Sequence, residues 1–155
     1  MNYYAFVCEN GDTMISSQPL TTPLFCKKCG TKMLSKCPSC GRAIEEWHRS
    51  DDFIAGKPRY ARANYCQGCG KPYPWTQTAL DAAKELILES EELDILQRQK
   101  LAESLPDLIT ETPKTQVAVV RVRKAMLSVG KFTADGIHQF IIDFGCELAK
   151  KQLGL

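Results

Sequence analysis

The sequence predicts a small β module built on metal-binding turns, followed by a C-terminal α-helical region. Three observations carry this. Six of the eight cysteines occur as pairs of one spacing, Cys26/Cys29, Cys37/Cys40 and Cys66/Cys69, and each pair is followed directly by a glycine, Gly30, Gly41 or Gly70. Most of the proline, cysteine and aromatic residues lie at or before Pro72-Tyr73-Pro74-Trp75-Thr76. Beyond it come long stretches of Leu, Ile, Val, Glu, Lys and Ala with apolar residues at helical spacing. The change places a domain boundary near residue 76, with the cysteine module over 1–76 and the helical region over 77–155.

Taken in order, Tyr3-Tyr4-Ala5-Phe6-Val7-Cys8 is aromatic and β-branched and predicts a strand. Asn10-Gly11 is a hairpin turn signal, and Thr13 to Ser16 is the returning strand. Ser17 to Pro23 is a polar loop. Between Cys26 and Cys69 only short hairpins and turns fit, and Glu45 to Arg62 is a polar excursion with too little apolar content for a core of its own. Thr76 or Thr78 caps a helix from about Gln77 to Glu103 that stops before Pro106. Its apolar face is Leu80, Ala83, Leu86, Ile87, Leu93, Ile95 and Leu96. Thr112-Pro113 is a second start signal, a cap followed by a first-turn proline. Val117, Val119, Val120 and Val122 suit a strand as well as a helix; a helix to about Ser128 is preferred, because Lys124 to Leu127 continues it and Gly130 can end it. Thr133 caps a last helix whose stripe of Ile137, Phe140, Ile141, Phe144 and Leu148 is core packing.

Compartment decides how the cysteines are used. Met1 to Asp12 has no basic start and no apolar stretch of secretory length, and no window reaches the roughly 18 apolar residues of a membrane helix. The expectation is a cytoplasmic protein with reduced thiols, in which paired C-x-x-C means metal rather than disulfide.

A structural zinc takes four ligands in a tetrahedron, with thiolate the preferred donor. Two residues between cysteines let one tight turn present both sulfurs to one ion. A glycine after the second cysteine tolerates the backbone that aims amide groups at those sulfurs. Six cysteines make one and a half tetrahedra. Cys8, at a strand end beside a tight turn, is the seventh ligand, and Asp12, His48 and Cys146 are candidates for the eighth. Asp12 lies across the Asn10-Gly11 turn from Cys8, whereas His48 reads more readily as a solvated loop residue and Cys146 as a small buried hydrophobe. One pairing sets Cys8, Asp12, Cys26 and Cys29 on a first zinc and Cys37, Cys40, Cys66 and Cys69 on a second. The other closes Cys26, Cys29, Cys37 and Cys40 and leaves Cys66, Cys69 and Cys8 seeking a partner. Chain order favours the first, a double zinc ribbon with rubredoxin-like knuckles and two zinc ions per chain.

Cys8-Glu9-Asn10-Gly11-Asp12, Phe25-Cys26-Lys27-Lys28-Cys29-Gly30, Lys36-Cys37-Pro38-Ser39-Cys40 and the run from Tyr65 through Cys69-Gly70-Lys71-Pro72-Tyr73-Pro74-Trp75-Thr76 resemble a bacterial zinc-ribbon family of unknown function. The resemblance implies a fold and a metal, with no activity attached. Such proteins often carry histidine where this chain has Asp12, which implies a ligand at that position.

The motifs argue against an enzyme. The chain has two histidines, no H-E-x-x-H, no G-x-S-x-G, no phosphate-cradling loop, and no His-x-Glu ahead of a Pro-Cys-x-x-Cys. Nucleic acid is a second class to weigh. Residues 1–76 carry ten Lys/Arg and six Asp/Glu, and two zinc–thiolate centres reduce that excess to about +1. So small an excess does not supply a general phosphate-neutralising surface. A local patch of Lys57, Arg59, Tyr60, Arg62 and Tyr65 interleaves basic and aromatic side chains as stacking surfaces do. Residues 77–104 hold seven acids and three bases, and 113–155 seven bases and three acids, so the helices can pair with each other or with further copies. Trp75 is expected to pack at the junction of the two parts. The reading is a structural-zinc protein acting as a binding or scaffolding module, with protein or self-association through the helices and no membrane or small-molecule substrate. A nucleic-acid-binding ribbon and a thiol redox sensor are the alternatives.

Overall fold

In the computed structural model, residues 1–48 and 60–155 are described. They form two compact units, Met1–Gln77 and Thr78–Leu155, the division falling next to the change in composition.

The first unit is a small antiparallel sheet of β1 (Asn2–Cys8), β2 (Thr13–Ser16), β3 (Met33–Leu34) and β4 (Glu45–His48). The strand β1 is central. Along one edge β2 sets Ser16 opposite Tyr4 and Thr13 opposite Val7. On the other edge β3 sets Met33 opposite Cys8, and β4 sets Glu45 opposite Ala5 and His48 opposite Asn2. Ala5, Phe6, Val7 and Cys8 are all buried, and because successive side chains point to opposite faces the strand is covered on both, which gives its near-continuous apolar run. The strand β4 adds to the expectation for Glu45 to Arg62, whose first four residues pair with β1, while 49–59 lie outside the described residues. Two-residue β3 leaves most of that edge of β1 unpaired, and main-chain hydrogen bonds from β4 fill it without needing apolar side chains. Phe6, Cys8, Cys26 and Met33 form the local core, with Tyr4 and Leu20 packed against it. Trp75 is 1% exposed; its Nε1 donates to the Ala63 carbonyl at 2.9 Å and its ring stacks on Tyr73 with centroids 4.5 Å apart. These partners of Trp75 lie within the first unit.

The helices are α1 (Pro74–Leu88), which crosses the division, α2 (Ile95–Ile109), α3 (Thr115–Met126), α4 (Lys131–Phe144) and α5 (Glu147–Leu153). Among the described residues five helices thus replace the three or so expected, for reasons that can be located. The single helix over 77–103 is two. Asp94 accepts from the Gln97 amide at 2.8 Å while the Gln97 side chain accepts from the Asp94 amide at 3.0 Å, a reciprocal capping box that starts α2 afresh. Arg98 ties the break together, donating to the carbonyls of Leu93 and Leu88. Ile95 and Leu96, placed on the expected apolar face, are 72% and 58% exposed, whereas Ala83, Ile87 and Leu93 are buried. The proline at 106 lies inside α2 instead of stopping it, with buried Leu105, Leu108 and Ile109 holding the helix against the core on both sides.

The valine-rich segment is helical, as preferred, though α3 begins at Thr115 and not at Pro113. The buried Thr115 hydroxyl donates to the Thr110 carbonyl and accepts from the Thr112 amide, fixing the turn between α2 and α3. Gly130 caps α4 and Thr133 sits buried in its first turn. The last helix breaks at Gly145: the Cys146 amide donates to the Leu108 carbonyl at 2.8 Å, and Leu148 falls on α5 rather than on the stripe of α4. Leu101, Leu105, Leu108, Val119, Val122, Ile137 and Ile141 make the core, each 2% exposed or less. Among the described residues no helix is long and apolar enough to cross a membrane.

Candidate metal centres

The three C-x-x-C-G turns share one hydrogen-bond pattern. The Cys26 amide donates to Thr31 O and the Gly30 amide to Cys26 O; Cys37 with Arg42 and Gly41, and Cys66 with Lys71 and Gly70, repeat it within 0.1 Å, all between 2.8 and 2.9 Å. The pairs Phe25–Lys32, Lys36–Ala43 and Tyr65–Pro72 bridge the base of each loop. Gly30, Gly41 and Gly70 have φ of 73°, 76° and 72°, with open space around each, so backbone conformation and not crowding requires glycine.

The segment from Cys8 to Asp12 is the same device one residue shorter. The Gly11 amide donates to Cys8 O at 2.9 Å and the Cys8 amide to Asp12 O at 3.0 Å. Shortening removes the position of the second cysteine, and Asp12 supplies the donor from the far side of the turn.

Two groups of four donors result. Cys37, Cys40, Cys66 and Cys69 form one, and Cys8, Asp12, Cys26 and Cys29 the other; within each, one donor atom per residue lies within 4.8 Å of the rest. Sulfur–sulfur separations are 3.8 Å for Cys37–Cys69, 3.6 Å for Cys40–Cys66 and 3.6 Å for Cys8–Cys29. A tetrahedron with metal–sulfur bonds of about 2.3 Å has edges of roughly 3.8 Å, so the spacing fits a metal and is far too long for a disulfide bond of about 2.0 Å. All eight cysteines are free. Either group could hold a metal ion, and thiolate tetrahedra suit zinc or iron.

Asp12 divides its two oxygens. Oδ2 lies 3.4 Å from the Cys26 sulfur and 3.9 Å from that of Cys8, while Oδ1 accepts from Lys28 Nζ at 2.9 Å. The Lys28 ammonium, helped by the Cys26 thiol, holds this carboxyl below the usual carboxylate range. The Thr31 hydroxyl, 3.1 Å from the Cys29 sulfur, and the Thr31 backbone lower that thiol to about 6. Backbone amides of Asp12 and Gly68 donate to the sulfurs of Cys8 and Cys66 at 3.2 and 3.3 Å. Burial, with the neighbouring Cys66 sulfur, pushes the Tyr73 phenol up. The first cysteine of each turn is buried, whereas Cys29, Cys40 and Cys69 are exposed.

All eight sequence-derived donors are therefore brought together, in the chain-order pairing. His48 is placed elsewhere by register: opposite Asn2, six residues along β1 from Cys8, a span of about 20 Å. Cys146 caps α5 in the second unit. Of the basic–aromatic patch, Lys57 and Arg59 lie outside the described residues, and Arg62 donates to the Gly11 carbonyl at 2.7 Å, pinning the short turn. Sequence reasoning missed the supporting residues Lys28, Thr31 and Arg62. The first two carried a signal, since Lys28 lies between two ligands and Thr31 follows the turn glycine; Arg62, 51 residues from Gly11, carried none.

A model of a family described as "Uncharacterized protein conserved in bacteria (DUF2321)" matches residues 1–153. The chain belongs to that family. No curated protein and no solved structure matches it. The match makes the helices as much a part of DUF2321 as the cysteine turns, where the motifs had drawn attention mainly to the first half.

Proposed function

We propose that this DUF2321 protein binds two structural zinc ions and acts as a binding or scaffolding module whose partners are proteins, further copies of itself included, met through its helices. The observation that carries the reading is the pair of four-donor groups. Each offers an ion four protein donors, the full set of a structural site, whereas catalytic zinc keeps a position for water or substrate. Zinc is favoured over iron by the carboxylate in one group, a donor that zinc accepts beside thiolates. The helices support the partner assignment. Val117, Val120 and Leu127 lie on one side of α3 and its C-terminal extension, 50%, 46% and 89% exposed, and Phe132 follows at 83%. Apolar exposure of that kind marks association surfaces.

The test is native mass, taken with metal retained and again after chelation. Two zinc ions per chain in a species that is a multiple of the chain mass is the expected result. Iron, or fewer than two ions, sinks the metal assignment, and a monomer at every concentration removes self-association. Titration with single- and double-stranded oligonucleotides at two salt concentrations separates the nucleic-acid alternative centred on Lys57 to Arg62: tight, steeply salt-dependent binding would favour it.

A further inference from the structure

We infer that the Cys8 centre is an exchangeable one, in which Asp12 is a displaceable arm and an external thiolate with an apolar body takes its place. The inference rests on the zinc reading above and concerns one of the two centres only. The asymmetry begins with the donors. Seven of the eight are thiolates, the preferred donor for this ion, and Asp12 is the exception. The carboxylate is also ready to leave. Its Oδ1 is already paired with Lys28 at 2.9 Å, and the Lys28 side chain is 69% exposed, so detachment leaves the charge partnered and near water. Lys28 lies inside the Cys26–Cys29 turn, so the partner stays beside the centre whether Asp12 is bound or released.

A place for the incoming group adjoins the same residue. A cavity of about 390 Å³ has a mostly apolar wall that includes Met14, Leu24, Phe25 and Met33, and Asp12, Cys26, Lys27 and Lys28 line it too. That volume is within the range of small-molecule sites. Its mouth is open, with Phe25 62% and Met14 and Leu24 each 38% exposed. A thiol whose carbon frame rests on Met14, Leu24 and Phe25 can reach the position that Asp12 Oδ2 occupies between the Cys8 and Cys26 sulfurs. The exchange balances without redox chemistry: the thiol proton passes to solvent, a sulfur–metal bond forms, the Asp12 oxygen–metal bond breaks, and the carboxylate stays ionised on Lys28.

The experiment uses the full chain loaded with cobalt(II), whose thiolate charge-transfer absorption counts sulfur ligands, titrated with benzyl mercaptan. Absorption in the wild type is expected to rise by one thiolate equivalent and to saturate. Asp12→Ala is expected to reach the same endpoint at roughly tenfold lower thiol concentration, a displacement cost of about 1.4 kcal/mol. Asp12→Cys, with eight thiolates, is expected to start at that endpoint and not respond. Its answer stands even where Asp12→Ala fails to fold. A wild type that binds two ions per chain and shows no rise overturns the inference while leaving the zinc reading intact. A rise of equal size in Asp12→Cys overturns it as well, and a chain that binds no metal overturns both readings.

Discussion

The two units are close in length, Met1–Gln77 and Thr78–Leu155, yet they bury different chemistry. In the second, Leu101, Leu105, Leu108, Val119, Val122, Ile137 and Ile141 close on one another as an ordinary aliphatic core. In the first, Cys8, Cys26, Cys37 and Cys66 are themselves part of the buried set, beside Phe6, Val7, Met33, Tyr73 and Trp75. Strands of two to seven residues cannot enclose enough apolar surface to fix so many turns, and ligand groups stand where a larger core would otherwise be. On the proposed zinc reading, the first half would draw stability from metal and the second from apolar burial, so the halves should answer to different perturbations.

Chelation is the largest of these. Structural zinc contributes on the order of 10 kcal/mol or more in small domains, so its removal from the intact chain should unfold the first unit. Both tryptophans, Trp47 and Trp75, fall in that unit, so fluorescence should report the loss while far-UV circular dichroism retains most of the helical signal. Loss of both signals together would break the comparison. Next in size, Cys66→Ser should unfold the ribbon and lower the zinc content, whereas Cys146→Ser should leave zinc content unchanged; equal zinc in Cys66→Ser and wild type would sink the ligand assignment. Leu105→Ala, at a site 1% exposed in the helical core, should cost about 2–5 kcal/mol in denaturant unfolding with both zinc ions kept. Gly11→Ala should cost about 1–3 kcal/mol, read as a lowered fluorescence midpoint. There φ is 94°, and an added Cβ would meet the Arg62 guanidinium and come within 3.3 Å of Trp75 Cβ.

What the sequence made legible follows the same division. The cysteine turns were readable because ligand spacing is a local constraint that tertiary packing does not override, and β1 and β2 because an apolar run and a hairpin turn are local too; the grouping of turns is not local, and chain order only favoured it. The strand β4 was not readable: Glu45 to His48 pairs with β1 through its backbone, and four residues opening on two glutamates are too short to show an alternating pattern. In the helices, periodicity found the core of α4 but ran past the ends. The stop between α1 and α2 was written in Asp94 and Gln97, three apart, and was masked by the apolar Ile95 and Leu96 between them. The break at Gly145 depends on the Cys146 amide finding Leu108, a contact between distant segments that no window along the chain contains.

One consequence of the donor grouping concerns the order of events in synthesis. Cys8 meets Cys29, 21 residues on, and Cys37 meets Cys69, 32 residues on, so the two closed loops follow one another and never interleave. Closing the longer costs only about 0.4 kcal/mol more in chain entropy. A ribosome delivering the chain from its N-terminus therefore exposes a full ligand set for the first centre before Cys37 has emerged. With the proposed zinc, the early set would be complete before a later cysteine could compete for the ion, so sequence order works against mispairing of knuckles.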